Sequence, residues 1–208
     1  MKWEQDLIRD IRRNDGTDDR DLPDRCYTEV GWPWNTITKA NSEANKTALE
    51  NKFLSVKDNC RAILEIGISR EGPDSFTNIF IKHKKPETIY IGIDTESKTY
   101  LNDDANNVFT IQSSSSDYER CVEIFKAHGV TEFDFIFIDG WHSVNQVLAD
   151  WEYTNLLGPK GVVGFHDTQY HPGPKLFVEA LNTDKWIVEA QVIADSNDWG
   201  IGFAQSKV

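Results

Sequence analysis

The heptapeptide FDFIFID at residues 133–139 decides the fold of this chain. It is a short apolar run, rich in phenylalanine and isoleucine, that ends in the carboxylate of Asp139 and is followed at once by Gly140. Such a run is typical of a strand that is buried on both faces, as in a parallel sheet. Asp139 would then lie at the carboxyl edge of the sheet, where open α/β folds bind their ligands.

A second strand-like run, GVVGF, is followed by His166, Asp167 and Thr168. His142 lies three residues after Asp139, beyond the end of the first run. Two buried strands that run parallel end at the same edge of the sheet. The sequence therefore predicts a site at this edge, built from aspartate and histidine side chains.

Strands and helices alternate regularly from residue 61 onward, which predicts βαβ units with right-handed crossovers. Besides residues 133–139, strands are predicted at residues 62–66, 88–93, 108–111, 161–165, 186–194 and 200–205, and helices at 75–82, 117–128, 143–156 and 174–181. The predicted fold class is α/β: a Rossmann-like, doubly wound, mostly parallel seven-stranded sheet with an antiparallel C-terminal strand.

Two regions are expected: an N-terminal helical extension or lid at residues 1–58, and a ligand-binding domain at residues 59–208. Helical spacing of apolar residues predicts helices at residues 3–13 and 42–57, the second beginning at Asn41 or Ser42. Between them, Trp32 and Trp34 flank a proline and would form either a packing plug or a lid over a substrate. The extension could also cover a partner subunit, giving a homo-oligomer.

The composition narrows the class of protein. Acidic residues outnumber basic ones by 34 to 22, giving a net charge of −12, which opposes binding to nucleic-acid phosphates. No apolar stretch is long enough to span a membrane, and the N-terminus lacks the apolar core of a signal peptide. The three cysteines form no CxxC pair. A cytoplasmic location is therefore expected.

The turn after the first predicted strand reads LEIGISREGPDSF and contains Gly67 and Gly72. It has neither the second glycine of a dinucleotide fingerprint nor the Gly-Lys-Ser/Thr of a P-loop. Glu65, near the end of the strand, would repel a pyrophosphate but could pair with an ammonium group. A cationic ligand without phosphates fits this turn best.

The next two strands also end in polar residues. Asp94 closes the second strand, where a carboxylate can accept hydrogen bonds from ribose hydroxyls or can cap its own loop. The polar run at residues 112–116 includes Ser113 and Ser114, which could contact an adenine edge or cap the helix predicted at 117–128. Polar groups after three successive strands suggest a nucleoside-like ligand.

The order EIG, IGID, FIDGWH and GVVGFHDT resembles class I S-adenosylmethionine-dependent methyltransferases over about residues 60–205. More closely, it resembles the small metal-dependent O-methyltransferases of the catechol and macrolide-sugar types. The resemblance implies S-adenosylmethionine as the cofactor. It implies cofactor contacts from Glu65, Gly67, Gly72, Asp94, Ser113, Ser114 and Asp139.

Asp139 and Asp167 end adjacent predicted strands, and two facing carboxylates repel unless a cation lies between them. Mg²⁺ binds such oxygen ligands and would acidify a hydroxyl bound beside it. The resemblance implies that the metal ligands are Asp139, Asp167 and Thr168. Thr168 departs from the family, in which this position is asparagine or aspartate, both of which are stronger ligands than a hydroxyl.

His142 stands where the resembled enzymes have a lysine or histidine general base, and imidazole titrates near neutral pH. It could instead cap the helix predicted at residues 143–156. His166 is expected to be buried rather than a base, and Trp141 could form a wall against a flat substrate.

The resulting prediction is an O-methyltransferase that acts on a hydroxyl of a sugar, phenol or natural product, assisted by Mg²⁺. The alternatives are a metal-independent methyltransferase acting on oxygen, nitrogen or a carboxylate, and a non-catalytic domain that binds a nucleoside or the cofactor.

Overall fold

The computed structural model describes residues 39–68, 75–169, 172–192 and 199–207. The strands are β1 Ala62–Ile66, β2 Ile89–Asp94, β3 Val108–Gln112, β4 Phe133–Ile138, β5 Leu157–His166, β6 Trp186–Val192 and β7 Ile201–Ser206. The α-helices are α1 Lys39–Val56, α2 Phe76–His83, α3 Tyr118–Ala127, α4 Val144–Trp151 and α5 Pro172–Glu179.

The seven strands form one sheet in the order β3-β2-β1-β4-β5-β7-β6. Strands β1 to β5 run parallel to one another, and β7 runs antiparallel to both β5 and β6. The predicted Rossmann-like class, with a mostly parallel sheet and an antiparallel C-terminal strand, is confirmed. The strand order reverses between β1 and β4, and this switch point is where open α/β sheets bind ligands.

Strand β4 is the middle strand of the sheet. It is buried on both faces, as its apolar sequence predicts. On one face, Ile136 and Ile138 belong to the core formed with α3, α4 and α5. On the other face, Phe135 and Phe137 pack with residues of α1 and α2. Asp134 is the polar exception, and its carboxylate accepts a hydrogen bond of 2.7 Å from the backbone N–H of Arg61, just before β1.

Helix α1 packs directly on the sheet through Phe53, whose ring lies 5.2 Å from that of Phe80 and 5.6 Å from that of Phe135. The helix begins at Lys39, so Asn41 and Ser42 lie inside it and are not its N-cap. The division of the chain into an N-terminal extension and a ligand-binding domain at residue 58 stays a prediction. The helix predicted at residues 3–13 and the proposed lid around Trp32 and Trp34 lie outside the described residues.

The two largest boundary differences from the prediction are at the start of β5 and at the end of the helix predicted at residues 143–156. Strand β5 begins at Leu157 instead of residue 161, and its register with β4 shifts between Phe133 and Phe135. Lys160 accommodates this irregularity with a positive φ of 58°. The helix predicted at 143–156 is α-helical only to Trp151 and continues as the 3₁₀ segment Glu152–Leu156. Among the described helices, none is long and apolar enough to cross a membrane.

Candidate active site

The end of β1 lies against the end of β4 at the switch point of the sheet. The backbone N–H of Asp139 donates a 2.8 Å hydrogen bond to the carbonyl of Ile66. Gly67 follows with φ of +85°, and a Cβ built there would lie 2.1 Å from the carbonyl oxygen of Asp139. Only glycine satisfies both the backbone angle and this close approach. The predicted glycine turn and the predicted acidic site are thus in direct contact.

Asp94 joins the loops that follow β1 and β2. Its Oδ2 accepts a hydrogen bond of 3.1 Å from the backbone N–H of Ile68, and its Oδ1 accepts one of 2.7 Å from that of Glu96. Of the two roles predicted for Asp94, loop capping is therefore observed. A ribose contact stays a prediction, and a carboxylate held this firmly would be well oriented for it.

The serine run after β3 also forms hydrogen bonds at this edge of the sheet. The Ser113 N–H donates to the Asp94 carbonyl at 3.0 Å, and its hydroxyl donates to the Asp117 carboxylate at 3.2 Å. The Ser114 hydroxyl accepts a 3.2 Å hydrogen bond from the Ser116 N–H. Both serines stabilise the entry to α3, and adenine contacts by Ser113 and Ser114 stay predictions. Gly72 lies outside the described residues.

Glu65 lies in β1, two residues before Gly67. Its side chain is completely buried, and its two oxygens accept hydrogen bonds from the hydroxyls of Thr77 (3.0 Å) and Tyr90. Burial raises the pKa of Glu65 to about 8, although these two hydrogen bonds oppose the shift. These contacts join Glu65 to α2 and β2. Its predicted pairing with a ligand ammonium group stays a prediction.

Four ionisable side chains meet where β4 and β5 end. His166 Nδ1 lies 3.0 Å from Asp139 Oδ1 and 3.2 Å from Asp167 Oδ2. His142 Nε2 lies 2.7 Å from the same Asp167 oxygen. All four residues are at least partly buried, and Asp167 is almost wholly so. The structure thus brings together the two aspartates and two histidines that the sequence assigned to one edge.

These contacts determine the ionisation of the cluster. Burial by itself lowers the pKa of His166, but the carboxylates of Asp167 and Asp139 hold that pKa well above its usual range. Burial would raise the pKa of Asp167, yet His166 and His142 hold it well below its usual value. The pKa of Asp139 is raised, chiefly by burial. Asp167 is therefore the firmly ionised member of the cluster.

The donor atoms fit a divalent cation. One ligand atom each from Asp139, His166 and Asp167 lies within 4.8 Å of the others. Thr168, the third predicted ligand, is completely buried, and its Oγ1 has no hydrogen-bond partner within the described residues. A Cβ on Gly200 would lie 2.9 Å from that oxygen, so the hydroxyl faces the loop before β7.

Solved structures similar to this chain share its fold. A MycE methyltransferase of the mycinamycin pathway, solved with magnesium, S-adenosylhomocysteine and mycinamycin VI, is 15% identical (TM-score 0.55, covering 77% of this chain and 48% of MycE). An O-methyltransferase from Bacillus cereus, solved with S-adenosylhomocysteine, is 18% identical (TM-score 0.56, covering 86% and 94%). The N-methyltransferase NodS from Bradyrhizobium japonicum is 16% identical (TM-score 0.56, covering 99% of each chain).

The chain has the class I methyltransferase fold. It spans about half the length of MycE, with 48% of that chain covered. No protein-family model matches the sequence, and no curated protein matches it significantly. The structural similarity therefore establishes the fold and not the activity.

Within this methyltransferase fold, the sequence reasoning missed one buried carboxylate, that of Asp150. Asp150 Oδ1 accepts hydrogen bonds from the Ser115 hydroxyl at 2.6 Å and from Gln146 Nε2 at 2.8 Å. Its Oδ2 has no hydrogen-bond partner within the described residues and would lie 3.3 Å from a Cβ on Gly140. Burial raises the pKa of Asp150 to about 6. The sequence did contain a signal for Asp150, because it is an acidic residue on the apolar face of a predicted helix, next to Trp151.

Two aromatic side chains border the charged cluster. Trp141, between Gly140 and His142, is 54% exposed, which is unusual for so large an apolar group. Trp199 stacks on the His166 ring with centroids 5.9 Å apart and planes 15° from parallel. An aromatic ring thus lies on His166, and the residue before His142 has an exposed aromatic side chain.

Proposed function

We propose that this protein is an S-adenosylmethionine-dependent O-methyltransferase that methylates a hydroxyl of a small molecule. The observation that carries the proposal is the pair His142 and Asp167, 2.7 Å apart, at the ligand-binding edge of a methyltransferase fold. A domain that merely binds a cofactor has no need of a carboxylate-oriented imidazole there. The bound ligands of MycE and of the Bacillus cereus enzyme support the choice of cofactor.

The proposed reaction is an in-line displacement. The methyl–sulfur bond of S-adenosylmethionine breaks as the new oxygen–methyl bond forms, leaving S-adenosylhomocysteine and one proton to be removed from the acceptor hydroxyl. His142 is the proposed base for that proton. Its contact with Asp167 through Nε2 favours the tautomer with hydrogen on Nε2, which leaves Nδ1 to accept the proton.

Cofactor binding is proposed at the loops after β1, β2 and β3. Gly67 admits a ligand to the backbone, Asp94 would accept hydrogen bonds from the ribose, and Ser113 and Ser114 would lie near the adenine. Glu65 joins the strand before this turn to α2 and β2 through Thr77 and Tyr90. Asp139 borders both this region and the charged cluster, because its backbone contacts the glycine turn.

A divalent cation is proposed beside the acceptor, held by Asp139 and Asp167, with Thr168 as the further ligand predicted from sequence. Such an ion, predicted to be Mg²⁺, would supply charge that favours the deprotonated acceptor oxygen. The two carboxylates support this part of the proposal, as does the Thr168 hydroxyl, which has no hydrogen-bond partner in the part of the chain that the structure describes. The exposed Trp141 is the proposed wall of the acceptor pocket.

Calorimetric titration of S-adenosylhomocysteine tests the cofactor half. Wild type should bind with micromolar affinity, and Asp94→Ala should weaken binding at least tenfold. Asp104→Ala, which removes an exposed carboxylate from the same region, is the matched control and should bind like wild type. Failure of wild type to bind either S-adenosylmethionine or S-adenosylhomocysteine would overturn the proposal.

Radiolabelled methyl transfer to a panel of catechols, sugars and macrolides tests the chemistry. In His142→Ala, kcat with an active acceptor should fall about 10²- to 10⁴-fold, the usual contribution of a general base, while S-adenosylhomocysteine still binds. His83→Ala removes an imidazole that pairs with Glu50 and should retain activity. Unchanged turnover in His142→Ala would exclude His142 as the base.

A metal-independent methyltransferase is the second candidate. It is favoured by His166, whose imidazolium form already balances the charges of Asp139 and Asp167. Full turnover in the presence of a chelator would select this candidate. Loss of turnover that is restored by a divalent metal would select the first.

A further inference from the structure

The ring of His166 is fixed between two aromatic side chains and directed at two carboxylates. The edge of the ring meets Phe76 with centroids 4.7 Å apart, and Trp199 stacks on its face. Nδ1 is the atom that approaches both Asp139 and Asp167. A ring confined in this way presents one nitrogen to one place, as metal-binding histidines do.

The backbone of Asp167 explains how two consecutive residues reach the same point. Side chains of successive strand residues point to opposite faces of a sheet. Asp167 leaves β5 with φ of +62°, a conformation that costs energy for a residue other than glycine. This turn brings the Asp167 carboxylate back to within 3.2 Å of His166 Nδ1. The strained conformation therefore assembles a donor set that a regular strand would separate.

We infer that His166 Nδ1 is a ligand of the divalent cation, and that the site consequently selects a first-row transition-metal ion over Mg²⁺. This inference rests on the metal-assisted form of the proposed function. It differs from that proposal in the atoms that bind the metal. The sequence predicted oxygen ligands alone. The structure adds a nitrogen donor between the two carboxylates.

The spacing and type of the donor atoms support this assignment. With metal–ligand bonds of about 2.1 Å, ligands at right angles lie about 3.0 Å apart. The observed separations of His166 Nδ1 from the two aspartate oxygens are 3.0 and 3.2 Å. Mg²⁺ prefers oxygen ligands and retains water, whereas imidazole suits transition metals. One nitrogen and two carboxylates therefore favour the transition-metal ions.

Manganese binding to the full chain provides the test, with Mn²⁺ itself as the probe. After treatment with a chelator, wild type, H166Q and H83Q are titrated with Mn²⁺ by electron paramagnetic resonance and then challenged with Mg²⁺. Wild type should bind Mn²⁺ at least tenfold more tightly than Mg²⁺. H166Q should lose that preference, and H83Q, which changes an imidazole paired with Glu50, should retain it.

Pulsed electron paramagnetic resonance identifies the donor atom directly. Wild-type protein with bound Mn²⁺ should show modulation from a directly bound ¹⁴N nucleus, which H166Q should lack and H83Q should keep. If the near-ultraviolet circular dichroism spectrum of H166Q is not that of the native fold, wild-type protein labelled with ¹⁵N-histidine is used instead of the variant. The modulation from the bound nitrogen should then change from that of ¹⁴N to that of ¹⁵N.

Three outcomes would overturn the inference: Mn²⁺ binding without nitrogen modulation, equal affinity for Mg²⁺ and Mn²⁺, or no binding of either ion. None of these measurements depends on cofactor or acceptor. Failure of S-adenosylhomocysteine to bind would refute the proposed function and leave the metal result standing. Normal cofactor binding without a metal would refute the inference alone.

Discussion

At the scale of single residues, Gly67 couples the two halves of the candidate site. Its positive φ turns the chain out of β1, and its missing side chain leaves room for the Asp139 carbonyl. A cofactor at the turn and a cation at Asp139 would therefore share one backbone contact. Gly129 offers a comparison, because it has φ of +77° but a Cβ added there would meet nothing within 4 Å.

Gly67→Ala should destabilise the protein far more than Gly129→Ala does. The backbone angle alone costs an alanine roughly 1–2 kcal/mol, which both variants incur. Gly67→Ala must in addition displace the end of β4, so we expect it to abolish S-adenosylhomocysteine binding. Urea unfolding and calorimetry of both variants check this. Equal losses of stability would show that the close approach to Asp139 is unimportant.

Glu65 should make stability fall as pH rises. Its folded pKa of about 8 exceeds the ordinary value of 4.5, so the folded chain holds this proton more tightly than the unfolded chain. The resulting stability is complete below about pH 4.5 and is lost as pH rises through 8. A tenfold difference in proton affinity between the folded and unfolded chain corresponds to about 1.4 kcal/mol.

Glu65→Gln should therefore gain stability relative to wild type as the pH increases from 5 to 8. Urea unfolding at pH 5, 6, 7 and 8 measures the difference. Glu119→Gln, which alters an exposed carboxylate on α3, should run parallel to wild type. A difference between Glu65→Gln and wild type that stays constant with pH would contradict a raised pKa for the buried Glu65.

At the scale of elements, helix α5 fixes the loop that carries His142. The Gly173 N–H donates a 3.1 Å hydrogen bond to the His142 carbonyl, and Phe177 anchors the helix against Trp151 with ring centroids 4.9 Å apart. A Cβ on Gly173 would lie 2.4 Å from the His142 carbonyl oxygen. The position of the proposed base thus depends on a helix about thirty residues away in sequence.

Gly173→Ala should lower kcat about tenfold or more while changing S-adenosylhomocysteine affinity little. The added methyl group must shift the His142 backbone, and a displacement of about 1 Å can cost about 10²-fold in rate. Gly158→Ala is the control, because its Cβ would find only ordinary contacts of 3.4 Å and longer. Steady-state kinetics with any active acceptor measures kcat and KM of both variants. An unchanged kcat in Gly173→Ala would show that α5 does not position His142.

At the scale of the whole molecule, the last strand in sequence is an interior strand in space. Strand β7 hydrogen-bonds to β5 on one side and to β6 on the other, and Phe203 lies in the core with α1 and α2. The residue before β7 also contacts the candidate site, because the Gly200 carbonyl accepts a 3.3 Å hydrogen bond from the Thr168 N–H. Folding is therefore incomplete until the C-terminal segment has paired.

Deletion of residues 200–208 should abolish cooperative thermal unfolding, because β6 loses its partner and the edge of β5 is left unpaired. Deletion of residues 207–208 alone should leave a cooperative transition within a few degrees of wild type. Circular dichroism melting curves measure both. Cooperative melting of the longer deletion would mean that β1 to β5 form an independent folding unit.

The sequence by itself determined the layout of this protein. Apolar runs that end in polar residues predicted the strands, and their alternation with helices predicted the parallel sheet. Because parallel strands end at one edge, Asp139, His142 and Asp167 could be assigned to one site before any contact was known. These conclusions follow from periodicity and topology, which are properties of consecutive residues.

Only the tertiary structure decided how the side chains meet. Burial of Glu65 by Tyr90, and of Asp150 by Ser115, joins residues 25 and 35 positions apart, which no local pattern encodes. The place of His166 depends on the backbone angle of Asp167 and on Phe76 and Trp199, which come from other elements. Chain topology brings ionisable groups to the same edge, but packing sets their distances, and those distances decide which of them holds a proton and which could hold a metal.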